Sequence, residues 1–349
     1  MSIDGPLAER IARAITLAGP MPVSRYMAAA NAQYYATHAA IGTAGDFTTA
    51  PEISQMFGEL IGVWIADLVV RSAAPGAAFV ELGPGRGTLA ADARRAWRRT
   101  RLELPVHLVE TSPRLRAEQA ERIADATWHD TVATLPDDRP LIVVANEFFD
   151  ALPIEQAVRS ATGWHRRLIA CQDVLFVPIA GPALPDAIVP PHLREAPLGS
   201  IVESSPASVA IVEALARRVC AQGGAMLIVD YGYDGPLVGE TLQAVRAHGF
   251  ANPFETPGDV DLSAHVDFAL LGAAATRAGA RTHGPVAQRD FLGQLGLANR
   301  AAALARNAPE QADAVTTAHR RLTDAAAMGT LFKAMAITAG GWPDPEGFA

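Results

Sequence analysis

The stretch Phe79-Val-Glu-Leu-Gly-Pro-Gly-Arg-Gly-Thr88 decides the fold of this 349-residue chain. An apolar run, which predicts a buried strand, passes through Gly83, Gly85 and Gly87 directly into a helical segment. Glycines at such a turn let the backbone bend sharply and let a ligand approach the main chain closely. The turn therefore predicts a site for a nucleotide-like ligand, and the alternative is an ordinary glycine-rich turn.

The spacing of these glycines distinguishes between two cofactors. A dinucleotide-binding fingerprint has the spacing GxGxxG, but Thr88 stands where its third glycine would be. The spacing GxGxG, which is present, is typical of class I methyltransferases. The pattern therefore favours S-adenosyl-L-methionine over NAD.

Two carboxylates accompany the turn. Glu110 ends the run VHLVE, about 20 residues downstream, where such folds hydrogen-bond ribose hydroxyls. The alternative for Glu110 is a solvated strand end. Glu81 ends the first run, and a carboxylate there should not be buried without a partner. We expect Glu81 to order the loop or to face the amino-acid end of the cofactor.

Short apolar runs alternate with helical segments around this turn. The runs AFVEL, VHLVE and LIVVANEF are separated by helical patterns at 87–99 and 113–124, and further strands are predicted at 225–232 and 330–338. Such alternation predicts βαβ units and a parallel sheet covered on both faces. We therefore predict an α/β fold, with a doubly wound, mostly parallel, Rossmann-like sheet of the class I methyltransferase type.

The remaining segments predict additions to this sheet. Helical patterns at 3–18 and 51–71 predict an N-terminal helical extension over 1–75. Residues 76–349 then form the methyltransferase domain. Antiparallel strand patterns at about 154–200 predict a lobe inserted into that domain.

Polar residues follow the apolar run LIVV in the segment Ala145-Asn-Glu-Phe-Phe-Asp-Ala-Leu-Pro153. Asn146, Glu147 and Asp150 should emerge at the same carboxyl edge of the sheet as the glycine turn. They are well placed to hold a cofactor or a methyl acceptor. The alternative is a loop in which Asn and Asp cap a following helix.

A second polar segment, at 258–268, contains Asp261, Ser263 and His265. Asp261 and Ser263 are candidate N-caps for a helix beginning near Ala264. His265 could instead face the cleft, where a carboxylate would tune its proton affinity. The absence of an HxxxH pattern or a cysteine set argues against a metal site.

The bulk composition excludes several classes of protein. The formal net charge of -8 at pH 7 disfavours nucleic acid as a partner. Cys171 and Cys220 are the two cysteines, so no disulfide framework is predicted. With neither a signal pattern nor an apolar run of about 18 residues, we expect a cytoplasmic protein without a membrane span.

The motifs together resemble one family, the MidA-like methyltransferases, whose mitochondrial members assist assembly of respiratory complex I. The most specific match is Gly45-Asp-Phe-Thr-Thr-Ala-Pro-Glu-Ile-Ser-Gln-Met-Phe-Gly-Glu59. The other matches, in order, are Glu81 to Gly87, Ala145 to Pro153, Ile228 to Tyr231 and Asp261 to Phe268. The resemblance covers nearly the whole chain.

The resemblance implies a class I methyltransferase fold, S-adenosyl-L-methionine as donor, and a protein arginine as acceptor, on a respiratory complex subunit for the mitochondrial members. It also implies that Gly45, Asp46, Thr48 and Pro51 line the cofactor site with Gly83, Gly85 and Glu110. One departure is Asn31-Ala-Gln33, where the family pattern has a proline. The sequence allows a homodimer and leaves the oligomeric state open.

The expected reaction is direct methyl transfer, in which the enzyme aligns donor and acceptor and excludes water. A guanidinium acceptor needs carboxylates, for which Glu147 and Asp150 are candidates, and His265 is a candidate proton acceptor. The alternatives are an assembly factor that binds the cofactor without methyl transfer, a methyltransferase acting on a small molecule or an amide, and an NAD-dependent oxidoreductase.

Overall fold

The computed structural model describes residues 6–37, 48–172, 175–246 and 249–349. By the proximity of their Cα atoms, these residues fall into two compact units. The first unit comprises the described part of Met1–Phe47 together with Asp150–Val209 and Gly235–Ala269. The second comprises Thr48–Phe149, Ala210–Asp234 and Leu270–Ala349.

The helices and strands are numbered in chain order. The helices are α1 Leu7–Ala18, α2 Val23–Thr37, α3 Ala50–Ile53, α4 Gln55–Arg71, α5 Thr88–Arg98, α6 Pro113–Arg122, α7 Pro206–Gln222, α8 Phe268–Arg277, α9 Gln288–Gln294, α10 Leu297–Asn307, α11 Ala312–Thr323 and α12 Met328–Leu331. The strands are β1 Met21–Pro22, β2 Ala78–Leu82, β3 Val106–Val109, β4 Thr127–His129, β5 Leu141–Asn146, β6 Glu155–Ser160, β7 Gly163–Gln172, β8 Leu175–Ala183, β9 Ile201–Ser204, β10 Gly224–Tyr233, β11 Gln243–Arg246, β12 Gly249–Ala251, β13 Asp261–Ser263, β14 Val266–Asp267, β15 Arg281–Ala287 and β16 Phe332–Thr338.

The second unit is built on a sheet with the strand order β15–β16–β10–β5–β2–β3–β4. Neighbouring strands from β10 to β4 are parallel, whereas β16 is antiparallel to both β10 and β15. The strands β2 and β5 are buried at every position, as parallel strands covered on both faces must be. The predicted doubly wound, mostly parallel α/β fold is confirmed.

The strand order reverses between β2 and β5, which are neighbours in the sheet although β3 and β4 lie between them in the chain. Ligands of open α/β sheets bind beyond the carboxyl ends of the strands at such a reversal. The turns that follow β2 and β5 therefore occupy the position where this type of sheet binds its ligand.

The helices α4 and α5 pack tightly against each other in the second unit. A Cβ at Gly62 of α4 would lie 2.5 Å from the carbonyl oxygen of Ala93 on α5, closer than real Cβ contacts come. The predicted helix at 51–71 is divided into α3 and α4 at Ser54, whose hydroxyl accepts a hydrogen bond from the backbone N–H of Met56 and caps α4.

The first unit contains two antiparallel sheets. One has the order β1–β7–β6–β9, with β8 also paired to β7, and the other has the order β12–β11–β13. The antiparallel strands expected at about 154–200 are present as β6, β7 and β8. The helices α1 and α2 bury apolar side chains in the core of this unit, among them Ile11, Ile15 and Tyr26.

Asn31 ties α2 to two other segments of the first unit. Its Oδ1 accepts from the backbone N–H of Leu262, and its Nδ2 donates to the carbonyl oxygens of Leu262 and Ala151 over 2.7 and 3.0 Å. The departure from the family pattern at 31–33 therefore lies inside the continuous helix α2. There the Asn31 side chain hydrogen-bonds to the main chain of β13.

The helix expected to begin near Ala264 is wrong: Asp261–Ser263 forms β13 and pairs with β11, and the next helix, α8, begins at Phe268. None of the helices in the described ranges is long and apolar enough to cross a membrane. The division into an extension over 1–75 and a domain over 76–349 stays a prediction.

Candidate active site

The glycine turn after β2 has the backbone that only glycine adopts without strain. Gly83, Gly85 and Gly87 have φ values of 58°, 54° and 80°. A Cβ at Gly83 would also lie 2.8 Å from Cδ2 of Phe148, in the loop after β5. The turn is therefore closed on one side by that loop, and its backbone follows a path that requires glycine.

Gln119 fixes the position of this turn. Its Nε2 donates to the carbonyl oxygen of Gly85 over 2.7 Å, and its Oε1 accepts from Nε1 of Trp128 over 2.8 Å. The side chain is completely buried. Because the Trp128 indole can only donate, the Gln119 amide is held in one orientation.

Glu81 lies at the end of β2, buried to 3% exposure. Among the residues that the structure describes, its Oε2 has no hydrogen-bond partner. Burial raises the pKa of Glu81 to about 8, although the backbone of Ala90 at the start of α5 acts in the opposite direction. The carboxyl group is therefore suited to a cationic ligand, which would favour its charged form.

Glu110 follows β3 at the same edge of the sheet. Its Oε1 accepts from the backbone N–H groups of Thr111 and Ser112, each over 2.8 Å. Burial raises the pKa of Glu110, and these two hydrogen bonds partly offset the effect. The main chain thus fixes the direction of the carboxylate beside the glycine turn.

The segment at 48–52 is attached to the same turn. Glu52 accepts a hydrogen bond from the hydroxyl of Thr88, and its Oε2 lies 3.5 Å from Nη1 of Arg86. Pro51 lies in the first turn of α3, as predicted, and Thr48 is half-buried just before that helix. Gly45 and Asp46, which the family resemblance also assigns to the cofactor site, lie outside the described residues.

The segment after β5 brings Glu147 to this edge. Glu147 has a φ of 49°, in the left-handed region that non-glycine residues rarely adopt. Its Oε1 accepts from the backbone N–H of Ala50 over 2.8 Å and from Nδ2 of Asn146 over 3.3 Å. Asn146 is buried, and within the described ranges its Oδ1 has no hydrogen-bond partner.

Asp150 and His265 belong to the first unit. The carbonyl oxygen of Asp150 accepts from the backbone N–H of Ala264, so the two candidate residues lie on adjoining segments. The charges of Asp261 and Asp150 add to burial in raising the pKa of Tyr35, whose hydroxyl donates to Oδ2 of Asp261. The structure therefore places Asp150 among buried acidic side chains of that unit.

His265 is half-buried at the end of a hydrogen-bond chain. Its backbone N–H donates to the hydroxyl oxygen of Thr241 over 2.9 Å, and that hydroxyl donates to the buried carboxylate of Glu203. Burial lowers the pKa of His265. Its side chain is therefore uncharged at neutral pH and able to accept a proton.

A comparison with known proteins identifies the family of this chain. A family model described as "Putative S-adenosyl-L-methionine-dependent methyltransferase" matches residues 60–286. The chain belongs to this family. The resemblance to MidA-like methyltransferases is thereby confirmed, and the chain is an S-adenosyl-L-methionine-dependent methyltransferase.

The relatives of this methyltransferase include two curated proteins. "Protein arginine methyltransferase NDUFAF7 homolog, mitochondrial" from Drosophila melanogaster is 34% identical, over 96% of this chain and 85% of its own length. "Protein arginine methyltransferase NDUFAF7, mitochondrial" from Danio rerio is 33% identical, over 86% of this chain and 78% of its own length.

A solved structure resembles this methyltransferase over its full length. It is a protein from Burkholderia thailandensis bound to S-adenosyl-homocysteine, with a TM-score of 0.86 and 28% sequence identity, covering 100% of this chain and 98% of the other. The predicted cofactor, S-adenosyl-L-methionine, is thereby confirmed.

The edge beyond β2 and β5 fits that cofactor. Glu81 Oε2 and Asn146 Oδ1 are buried acceptors that no described residue satisfies. Such atoms are costly to leave unpaired, and S-adenosyl-L-methionine carries matching donors in its α-ammonium, ribose hydroxyl and adenine amino groups. The glycine turn after β2 lies at the same edge of the sheet. The individual cofactor-binding roles of these residues stay predictions.

The comparison corrects one expectation. The cytoplasmic location is wrong, because the relatives from Drosophila melanogaster, Danio rerio and Mus musculus carry the designation mitochondrial.

Three further residues contact the candidate site, although the sequence did not assign them to it: Glu52, Gln119 and Asp230, whose carboxylate accepts from the N–H groups of the loop after β5. Glu52 stands beside Pro51 in the most specific matching stretch, and Asp230 ends an apolar run, so both carried a visible signal. Gln119 carried none, because its contact with Gly85 depends on how α6 packs.

Proposed function

We propose that this methyltransferase transfers a methyl group to an arginine side chain of a partner protein. The relatives named as protein arginine methyltransferases support this acceptor class. The observation that carries the proposal is the placement of Glu147, a carboxylate held in a rare backbone conformation beside the glycine turn. Such strain persists where the surrounding structure enforces it, often at functional sites.

Glu147 meets the needs of a guanidinium acceptor. An arginine side chain stays protonated in water, so the attacking nitrogen becomes nucleophilic only when carboxylates localise the charge on the other nitrogens. The N–H of Ala50 holds Oε1 of Glu147, which fixes the orientation of the carboxylate. S-adenosyl-L-methionine supplies an electrophilic methyl group on a sulfonium.

Asp150 and His265 complete the proposed set. Asp150 is three residues beyond Glu147 in the chain and is proposed as the second carboxylate. The attacking nitrogen must lose one proton as its bond to the methyl carbon forms and the carbon–sulfur bond breaks. His265, whose pKa is lowered by burial, is uncharged at neutral pH and is proposed to accept that proton.

The protein partner proposed here is a subunit of a respiratory complex. The resemblance to MidA-like methyltransferases, whose mitochondrial members assist complex I assembly, supports this choice. A homodimer is compatible with the same proposal.

The test is methyl transfer to arginine. The purified enzyme is incubated with isotopically labelled S-adenosyl-L-methionine and a protein extract of the source cells, then with arginine peptides from the labelled proteins. Peptides with lysine in place of arginine serve as controls, and mass spectrometry detects methylarginine. Label on arginine is expected. Label on a small molecule or an amide, or partner binding without formation of adenosylhomocysteine, would contradict the proposal.

The role of Glu147 is tested with a matched pair of variants. Glu147→Gln is expected to lower kcat about 100-fold, because the variant lacks the negative charge that localises the positive charge of the acceptor guanidinium. Glu103→Gln, which changes an exposed carboxylate, is expected to leave kcat unchanged. Wild-type kcat in a folded Glu147→Gln variant would exclude this role for Glu147.

A further inference from the structure

The loop after β5 is held by a buried carboxylate on the neighbouring strand. Asp230 of β10 is completely buried. Its Oδ2 accepts from the backbone N–H groups of Phe148 and Phe149 over 3.2 and 3.0 Å, and its Oδ1 accepts from its neighbour Tyr231 over 3.0 Å. One side chain thus satisfies two successive amides of the loop that carries Glu147.

These hydrogen bonds begin where the pairing of β5 with β10 ends. The parallel pairing of β5 with β10 ends at Asn146 opposite Val229, and Glu147 still donates its N–H to the carbonyl oxygen of Val229 over 2.9 Å. The chain then turns at Glu147, so that the next two N–H groups point to the same oxygen of Asp230. Successive amides that converge beside a left-handed residue form a concave site for an anion.

The left-handed backbone of Glu147 requires such support. For a residue with a Cβ, that conformation is disfavoured relative to ordinary helical or extended backbone, because the Cβ crowds the following carbonyl oxygen. A different conformation at Glu147 would move the Phe148 and Phe149 amides away from Asp230, and the buried amide of Phe149 would then lose its acceptor. The Asp230 carboxylate therefore stabilises the strained conformation over the relaxed ones.

We propose that Asp230 is a positioning residue for methyl transfer: its carboxylate holds the left-handed turn at Glu147 and thereby keeps the Glu147 carboxylate on the Ala50 N–H. This inference rests on the proposed function of Glu147. Asp230 itself contacts neither cofactor nor acceptor in this proposal, and it acts through the backbone at 147–149.

The first test follows the Ala50 amide by hydrogen exchange and NMR, which needs no methyl acceptor. Asp230→Asn keeps the size of the side chain but weakens its hold on two amides. We expect the Ala50 amide to exchange about tenfold faster both in this variant and in Glu147→Ala, with little further change in the double variant. Asp92→Asn, which alters another buried carboxylate of the second unit, should leave Ala50 unchanged. Wild-type protection of Ala50 in folded Asp230→Asn would overturn the proposal.

The second test uses the unaltered protein, so it does not depend on whether a variant folds. The Phe148 and Phe149 amides are expected to exchange slowly, and rapid exchange at both would overturn the proposal.

Measurement of kcat separates this inference from the proposed function. If Asp230 acts through Glu147, Asp230→Asn lowers kcat in the wild-type background but not in the Glu147→Gln background. Losses of kcat that add in the double variant would overturn the proposal. If Glu147→Gln alone retains wild-type kcat, the proposed function fails instead.

Discussion

The Gln119 side chain donates a 2.7 Å hydrogen bond to the main-chain oxygen of Gly85, 34 residues away in the chain. This contact fixes the glycine turn, which is proposed to approach the cofactor. We expect Gln119→Met, which keeps the volume and removes the donor, to weaken S-adenosylhomocysteine binding about tenfold, or about 1.4 kcal/mol. Isothermal titration measures the change. Gln222→Met, which removes an amide bonded to the carbonyls of Pro136 and Arg139, is the control. Equal affinity in both variants would contradict this prediction.

Cofactor binding should release a proton from Glu81. Its pKa of about 8 in the free protein means that the group is mostly protonated at about pH 7. A bound cation favours the carboxylate, so affinity for S-adenosylhomocysteine should rise with pH and level off above about 8. Titration calorimetry in two buffers of different ionisation enthalpy should detect release of about one proton at about pH 7. Glu81→Gln should bind without proton release, and a release equal to wild type would assign the proton to another group.

Gly83 combines a left-handed backbone with a close neighbour, and Gly296 provides a control for the backbone alone. A Cβ at Gly83 meets Phe148 at 2.8 Å, whereas a Cβ at Gly296, which has a φ of 88° and a ψ of 30°, meets nothing within 4 Å. Gly296→Ala should lower the free energy of unfolding by about 1 kcal/mol through backbone strain alone. Gly83→Ala should cost about 2 kcal/mol more, because Phe148 must shift. Urea unfolding compares the two variants, and equal losses would show that Phe148 moves freely.

A histidine pair at the edge of the sheet should make stability fall in acid. Nδ1 of His107 lies 2.9 Å from Nε2 of His129, so one ring must donate and the other must accept. Burial, followed by the charge of His129, lowers the pKa of His107 to about 4 from its ordinary 6.5. Because the unfolded chain takes up the proton first, this stabilisation is present above about pH 6.5 and is lost as the pH falls towards about 4.

Removing His107 should flatten that part of the stability curve. We expect His107→Gln to reduce the loss of unfolding free energy between pH 6.5 and 4 by about 1 kcal/mol, since the half-buried ring is partly screened by solvent. The control is His192→Gln at an exposed position. Urea unfolding at several pH values gives the curves, and parallel curves for wild type and His107→Gln would refute the prediction.

The parts of the fold that depend on local pattern were predictable from the sequence. The runs at 78–82 and 141–146 are apolar except for Glu81 and Asn146 near their ends, as expected of parallel strands covered on both faces, and both form central strands. The glycine spacing predicted the turn, because a left-handed backbone conformation strongly favours glycine.

The parts that depend on distant partners were not predictable. Asp261 and Ser263 suit a helix cap as well as a strand, and only pairing with β11 decided for the strand. Asp230 was visible at the end of an apolar run, but the amides that it accepts from are about 80 residues earlier in the chain. The backbone conformation of Glu147 depends on the hydrogen bonds to Asp230, so the sequence around Glu147 does not predict it.

The place of β16 in the sheet has a consequence for synthesis of the enzyme. In the described part of the chain β16 follows every other strand, yet it lies between β10 and β15. Until β16 has left the ribosome, the main-chain groups of β10 from Ala225 to Tyr231 have no partner strand on that side. Strands of other chains can pair with them during this time. Each nascent molecule therefore passes through an interval of aggregation risk, in which a chaperone that shields β10 would raise the yield of active enzyme.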